Sequence, residues 1–221
     1  LNSLKKTMNV IIVALVPIIV GCIVLSKQIV EVLFQRNAFT SKDTTMTASI
    51  LLIYVIGILA FALRDVLTRG FYSMEDSKTP MINSIISIVF NISLNLILVK
   101  PLGYKGLAIA TAVSAYIGLF LFNRSMKKKI EGYSSRDNYI VFAKALFAAL
   151  IMGLGVKLVY VILGTSLVGG LLLKLIALLS AVGVGVIIYA IVMHFLKVEE
   201  YEMIFDMFFG VVKRKIKKLQ K

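Results

Sequence analysis

The sequence has one cysteine, one histidine, three prolines, no tryptophan and only 11 acidic residues. Cys22 alone cannot close an intramolecular disulfide, which excludes a disulfide-stapled scaffold. Cys22 and His194 form no ligand cluster, which excludes a protein-only zinc site. There is no Ser/His/Asp set, no phosphate-cradling glycine motif and no carboxylate pair inside an apolar run, so an enzyme is disfavoured and no catalytic residue is assigned.

What the chain has in excess is apolar surface and positive charge. Its 221 residues are 59% hydrophobic and 16% charged, with a net charge of +14. A soluble domain is about 45–50% apolar and about 25% charged, so this composition belongs in a bilayer. The basic residues fall between long uncharged runs rather than along one face, so they report membrane topology before they report a polyanionic partner.

A helix needs about 20 apolar residues to cross a ~30 Å hydrocarbon core, and six stretches qualify. They are 7–26, 44–63, 79–99 and 106–123, followed by a C-terminal pair at 138–163 and 167–194. The expected fold is therefore all-α and polytopic. Residues 1–126 make one four-helix part, 127–194 the final helix pair, and 195–221 a basic amphipathic tail suited to anionic membrane lipids. Lys27–Phe39 is too short to cross and too apolar for a free loop, which predicts an interfacial helix. Lys144, Lys157 and Lys174 are expected to snorkel toward the headgroups. The chain starts at Leu1, not Met, and is expected to be a piece of a longer protein.

With six crossings both termini share a side, and that side holds 17 of the 25 basic residues. The positive-inside rule places it in the cytoplasm.

Four features within the spans stand out. Pro17 falls mid-way along the first span, where a missing N–H predicts a bend, either a hinge or a static bend repaired by neighbouring groups. The third span carries Asn83, Ser84, Ser87, Asn91, Ser93 and Asn95. Of these, Ser84, Ser87, Asn91 and Asn95 recur at spacings of 3, 4 and 4 and share a face, which either lines a polar path or hydrogen-bonds to another helix. Asn91 and Asn95, with Thr111 opposite, offer neutral oxygens to a hard cation. Arg64 and Arg69, at the cytoplasmic end of the second span, present guanidinium forks suited to a diphosphate, or else a loop with internal ion pairs.

The stretch Arg69-Gly-Phe-Tyr-Ser-Met-Glu-Asp-Ser-Lys-Thr-Pro80 resembles the signature of the MurJ/MviN lipid II flippases. Phe34-Gln-Arg-Asn-Ala-Phe-Thr40 is similar to that family's Phe-Gln-x-Gly-x-Phe-Thr segment, with Asn37 where glycine is usual. Asn91-Ile-Ser-Leu-Asn95 and Leu102–Thr111 fit the next two helices, while the C-terminal pair matches in hydropathy and length. The family belongs to the polysaccharide-exporter and drug-extrusion (MOP) superfamily, with a fourteen-helix, MATE-like two-lobe fold.

The resemblance implies that the six spans correspond to helices nine to fourteen, with N-terminal helices as the missing partner. It also implies alternating-access transport of lipid II, a polyprenyl-diphosphate peptidoglycan precursor, across the bacterial plasma membrane. The lipid tail would lie in a groove beside the last helix pair, and transport would be coupled to sodium or the membrane potential. Arg64 and Arg69 would support a cytoplasmic gate. Asn95 stands where a carboxylate would serve a cation better. The alternatives are a related polyprenyl-oligosaccharide exporter, a drug/cation antiporter of the same fold, or a non-transporting membrane scaffold.

Overall fold

A computed structural model describes residues 2–131, 133–166 and 170–203. The described residues form seven helices and no strand: α1 (Asn2–Val24), α2 (Ser26–Phe34), α3 (Ser41–Tyr72), α4 (Lys78–Leu102), α5 (Tyr104–Lys129), α6 (Arg136–Ser166) and α7 (Leu171–Phe195). Six are long and apolar enough to cross a bilayer. The short α2 corresponds to the expected interfacial helix. The basic tail expected at 195–221 lies outside the described residues from 204 onward.

Side by side, the long helices run in the order α4, α5, α3, α1, α6, α7, and α2 bridges α3 and α7. The two inner helices, α3 and α1, supply much of the core with Leu67, Phe71, Ile12 and Val13. Phe71 meets Phe122 of α5 edge-on, with ring centroids 6.1 Å apart. Small residues set the closest approach: Ala108, Ala112 and Ala115 of α5 are buried, and Gly57 of α3 abuts Ala112. At the outer edge, α4 leans on α5 and leaves Ile85, Ile88, Val89, Ile92, Leu96 and Ile97 exposed.

Local chemistry explains the helix ends. Thr40 and Asp43 form a reciprocal capping box that starts α3. Gly103, at φ 55°, turns the chain from α4 into α5 in a single residue.

The end of α3 differs most from expectation. The helix expected to stop at 63 continues to Tyr72, so Arg64 and Arg69 lie inside α3 rather than beyond it. The charged turn satisfies itself within the helix: the Arg69 guanidinium pairs with Asp65 at 3.1 Å, and the Thr68 hydroxyl donates to the Arg64 carbonyl. At 1.5 Å per residue the 32 residues of α3 extend about 48 Å, so its end projects past a ~30 Å core. At α4, Asp76 caps the first turn. Its carboxylate accepts the Thr79 N–H at 3.0 Å and the Thr79 hydroxyl at 2.8 Å.

Candidate functional site: an apolar groove and an unpaired arginine

The starts of α1, α4 and α6 and the ends of α3, α5 and α7 meet at one end of the bundle, here the basic end. An apolar groove of about 410 Å³ runs between α1, α6 and α7. Its wall on α1 descends from Val13 through Pro17, Gly21 and Cys22 to Leu25, about 18 Å at 1.5 Å per residue. That is more than one leaflet's share of the hydrocarbon core. Met152 and Val156 of α6 and Val182, Gly185 and Tyr189 of α7 complete it, and Tyr201 stands at its basic end. Cys22, the chain's single cysteine, is half-buried in this wall.

Pro17 lies within α1, which continues to Val24. Having no N–H, Pro17 cannot pair with the carbonyl four residues earlier, at Val13. The buried Tyr189 of α7 takes that place, its hydroxyl donating to the Val13 carbonyl at 2.8 Å.

Below this point the basic end is tied by polar groups. Asn9 and Asn138, each 5% exposed, are joined by a 2.7 Å bond from the Asn138 amide to Asn9 Oδ1. The Asn9 amide donates in turn to Glu200 at 2.7 Å, and the Lys144 ammonium donates to the Leu196 carbonyl at the end of α7. At the opposite end, Lys174 of α7 pairs with Glu31 of α2 at 2.6 Å in a partly exposed ion pair.

Arg64 lies half-buried within α3, its guanidinium 5.2 Å over the Phe61 ring. A Cβ on Gly118 of α5 would stand 2.8 Å from the Ser87 hydroxyl oxygen and 3.5 Å from Arg64 Nη1, so the missing side chain makes room for both. Among the described residues no carboxylate pairs with Arg64. Arg69 differs: it is exposed at the basic end, bound to Asp65, and lines a separate cavity with Leu4, Gly70 and Ile130.

The polar residues of α4 turn toward α5. Asn83 donates to the Ser125 hydroxyl and Asn91 to the Ser114 hydroxyl, each at 3.0 Å. Ser87 is buried and donates to the Asn83 carbonyl, while Ser84 is half-buried. The Asn95 amide donates to Asn91 Oδ1 at 3.0 Å, and among the described residues the buried Asn95 Oδ1 has no partner. The Thr111 hydroxyl donates to the Leu107 carbonyl. The structure thus brings Asn91 and Asn95 together, and it adds Asn83 to the face. Asn9, Asn138, Tyr189 and Glu200 escape a sequence reading because their partners lie far away in the chain.

Comparison with known proteins follows from this geometry. The family model described as "Lipid II flippase MurJ" matches residues 1–178. The chain is 33% identical over 183 residues to a probable lipid II flippase MurJ of Vibrio cholerae, covering 83% of this chain and 35% of that protein. It is 31% identical over 203 residues to the Thermotoga maritima counterpart, covering 92% and 39%. A solved structure of a lipid II flippase MurJ in an inward closed conformation superposes with a TM-score of 0.70 at 27% identity, covering 87% of this chain and 39% of that one. The chain spans little more than a third of the length of these relatives.

Proposed function

Because the chain belongs to the MurJ family of lipid II flippases, we propose that it forms part of a transporter that moves a polyprenyl-diphosphate peptidoglycan precursor across the bacterial plasma membrane without covalent chemistry. The observation that carries this reading is the α1/α6/α7 groove. It is apolar along about 18 Å and would take part of a prenyl tail while the headgroup crosses beside it. The groove has α1 as a third wall beside the C-terminal helix pair.

Arg64 is the headgroup contact on this reading. A half-buried guanidinium with no carboxylate partner gains most from a phosphate, and the neighbouring Ser87 hydroxyl adds a polar group within reach. Arg69, already paired with Asp65, plays the lesser part at the gate. The basic end faces the cytoplasm, where the positive residues and the tail meet anionic lipid. Further helices of the full transporter would cover the apolar outer face of α4.

A monovalent cation would couple transport at Asn95, whose Oδ1 has no partner among the described residues and fits a neutral oxygen ligand, with Asn91 beside it and the Thr111 hydroxyl turning from the Leu107 carbonyl to join them. No carboxylate stands among these three residues, so a bound cation would keep its charge there.

The test is replacement of the flippase in a bacterium that has only one. Joined to the rest of the transporter and expressed at normal levels, the chain should sustain growth and expose lipid II on the outer surface. An Arg64→Ala/Arg69→Ala version should do neither. Unchanged growth and lipid II exposure with the double variant would overturn the arginine assignment, and failure of the parent protein to expose lipid II would overturn the transport reading.

A further inference from the structure

The Val13 carbonyl sits in a membrane helix, where no water replaces a missing partner. Pro17 removes its helical donor, and the Tyr189 hydroxyl restores one from another helix. Among the described residues this is the one hydrogen bond joining α1 to α7. It lies on the groove wall, with Val13, Pro17 and Tyr189 all lining the same cavity.

The surrounding ties locate where movement is free. Towards the basic end, Asn9, Asn138 and Glu200 bind α1, α6 and the segment after α7 together, and Lys144 holds the end of α7. Towards the far end α1 and α7 part around the groove, and α7 is pinned there by the exposed Lys174–Glu31 pair. Among the described residues the Tyr189–Val13 bond is the first hydrogen bond between α1 and α7 beyond the clamp.

We propose that Tyr189 is a lock on the shape of α1 at Pro17. While α7 is seated, its hydroxyl satisfies Val13 and fixes the curvature of α1. When α7 swings away from α1, the carbonyl is released and α1 rebends at Pro17. Groove width and α1 shape are thereby one variable, and α1 passes the change to α3 across the core they share. The link to a lipid tail rests on the groove reading above, whereas the lock itself does not.

The proposal makes a specific demand: the Tyr189 hydroxyl should matter only while residue 17 lacks an N–H. The experiment uses the protein in lipid vesicles and follows the reaction of Cys22, the native thiol in the groove wall, with a membrane-permeant maleimide. Tyr189→Phe should raise the rate by up to about tenfold, the scale set by one hydrogen bond. In a Pro17→Ala background the helix supplies its own donor, so Tyr189→Phe should change the rate less than about twofold. Pro17→Gly restores the same N–H and serves if the alanine variant fails to accumulate.

An equal effect of Tyr189→Phe in both backgrounds, or no effect in the parent, overturns the lock. Adding a polyprenyl phosphate to the parent protein tests the groove separately. Absence of Cys22 protection would sink the tail-binding reading and leave the comparison of backgrounds intact.

Discussion

Asn91 of α4 and Ser114 of α5 meet side chain to side chain at 3.0 Å, so a polar group in the middle of a membrane span is spent on holding two helices together. The same asparagine accepts from Asn95 one turn on, which makes a short ladder along the α4/α5 seam. Interhelical bonds of this kind average about 0.6 kcal/mol and reach about 1.7. Asn91→Leu removes both rungs and should destabilise the protein by about 1–2 kcal/mol. Thermal unfolding in detergent would check this, and an unchanged midpoint would show that the ladder contributes nothing.

Asp76 ties the α3–α4 connection to the end of α5. The Lys129 ammonium and, after it, the Thr79 N–H and hydroxyl hold its carboxyl well below the usual carboxylate range. A depressed folded-state pKa contributes stability above the unfolded value of about 3.9 and loses it as pH falls through the folded value. The unfolding temperature should therefore be insensitive to this group above about pH 5. Lys129→Ala brings the folded value closer to the unfolded one, so it should shrink the acid-side loss and end it at a higher pH, nearer about pH 4, in a pH series of melting curves.

Arg64 and Gly118 should separate function from folding. Losing a charge-assisted contact costs about 1.5–3 kcal/mol, so Arg64→Ala should lower transport about 10- to 100-fold in vesicles. Its melting temperature should barely move, since no carboxylate partner is left behind. Gly118→Ala puts a methyl 2.8 Å from the Ser87 oxygen and should cost about 1–3 kcal/mol of stability through overpacking. A melting curve identical to the parent's would mean that the seam yields freely.

Asn9 is the middle of a chain of three side chains, between the buried Asn138 and the half-buried Glu200. Asn9→Leu leaves the Asn138 amide with the Lys5 carbonyl alone and Glu200 without its donor, and should destabilise by about 1–3 kcal/mol. Denaturant unfolding measures it, and a loss under ~0.5 kcal/mol would show that the chain is dispensable.

The spans were legible in the sequence because length and hydropathy alone determine what crosses a bilayer, and Gly103 and the Thr40–Asp43 box marked ends by local chemistry. The end of α3 was not, since Arg64, Asp65 and Arg69 look like a loop until the intrahelical pair forms. On α4, spacings of 3, 4 and 4 from Ser84 and a run of fours from Asn83 both trace a helical face. Only the position of α5 decides that Asn83 and Ser87 are the buried members. Tyr189 was unreadable for another reason: its need is created by Pro17, but its partner carbonyl lies 176 residues away.

The bond between Asn9 and Asn138 spans 129 residues of chain. At about 5–20 residues per second, α6 leaves the ribosome roughly 6–26 s after α1. Throughout that interval α1 waits in the membrane with a buried asparagine unsatisfied. The α4–α5 hairpin, joined by one glycine, can zip as soon as it is made. Biogenesis is thus ordered by the helix sequence: the α4/α5 edge forms early, and the centre closes last. Misassembly is most exposed at α1, which is made well before its partner α6 and is enclosed late.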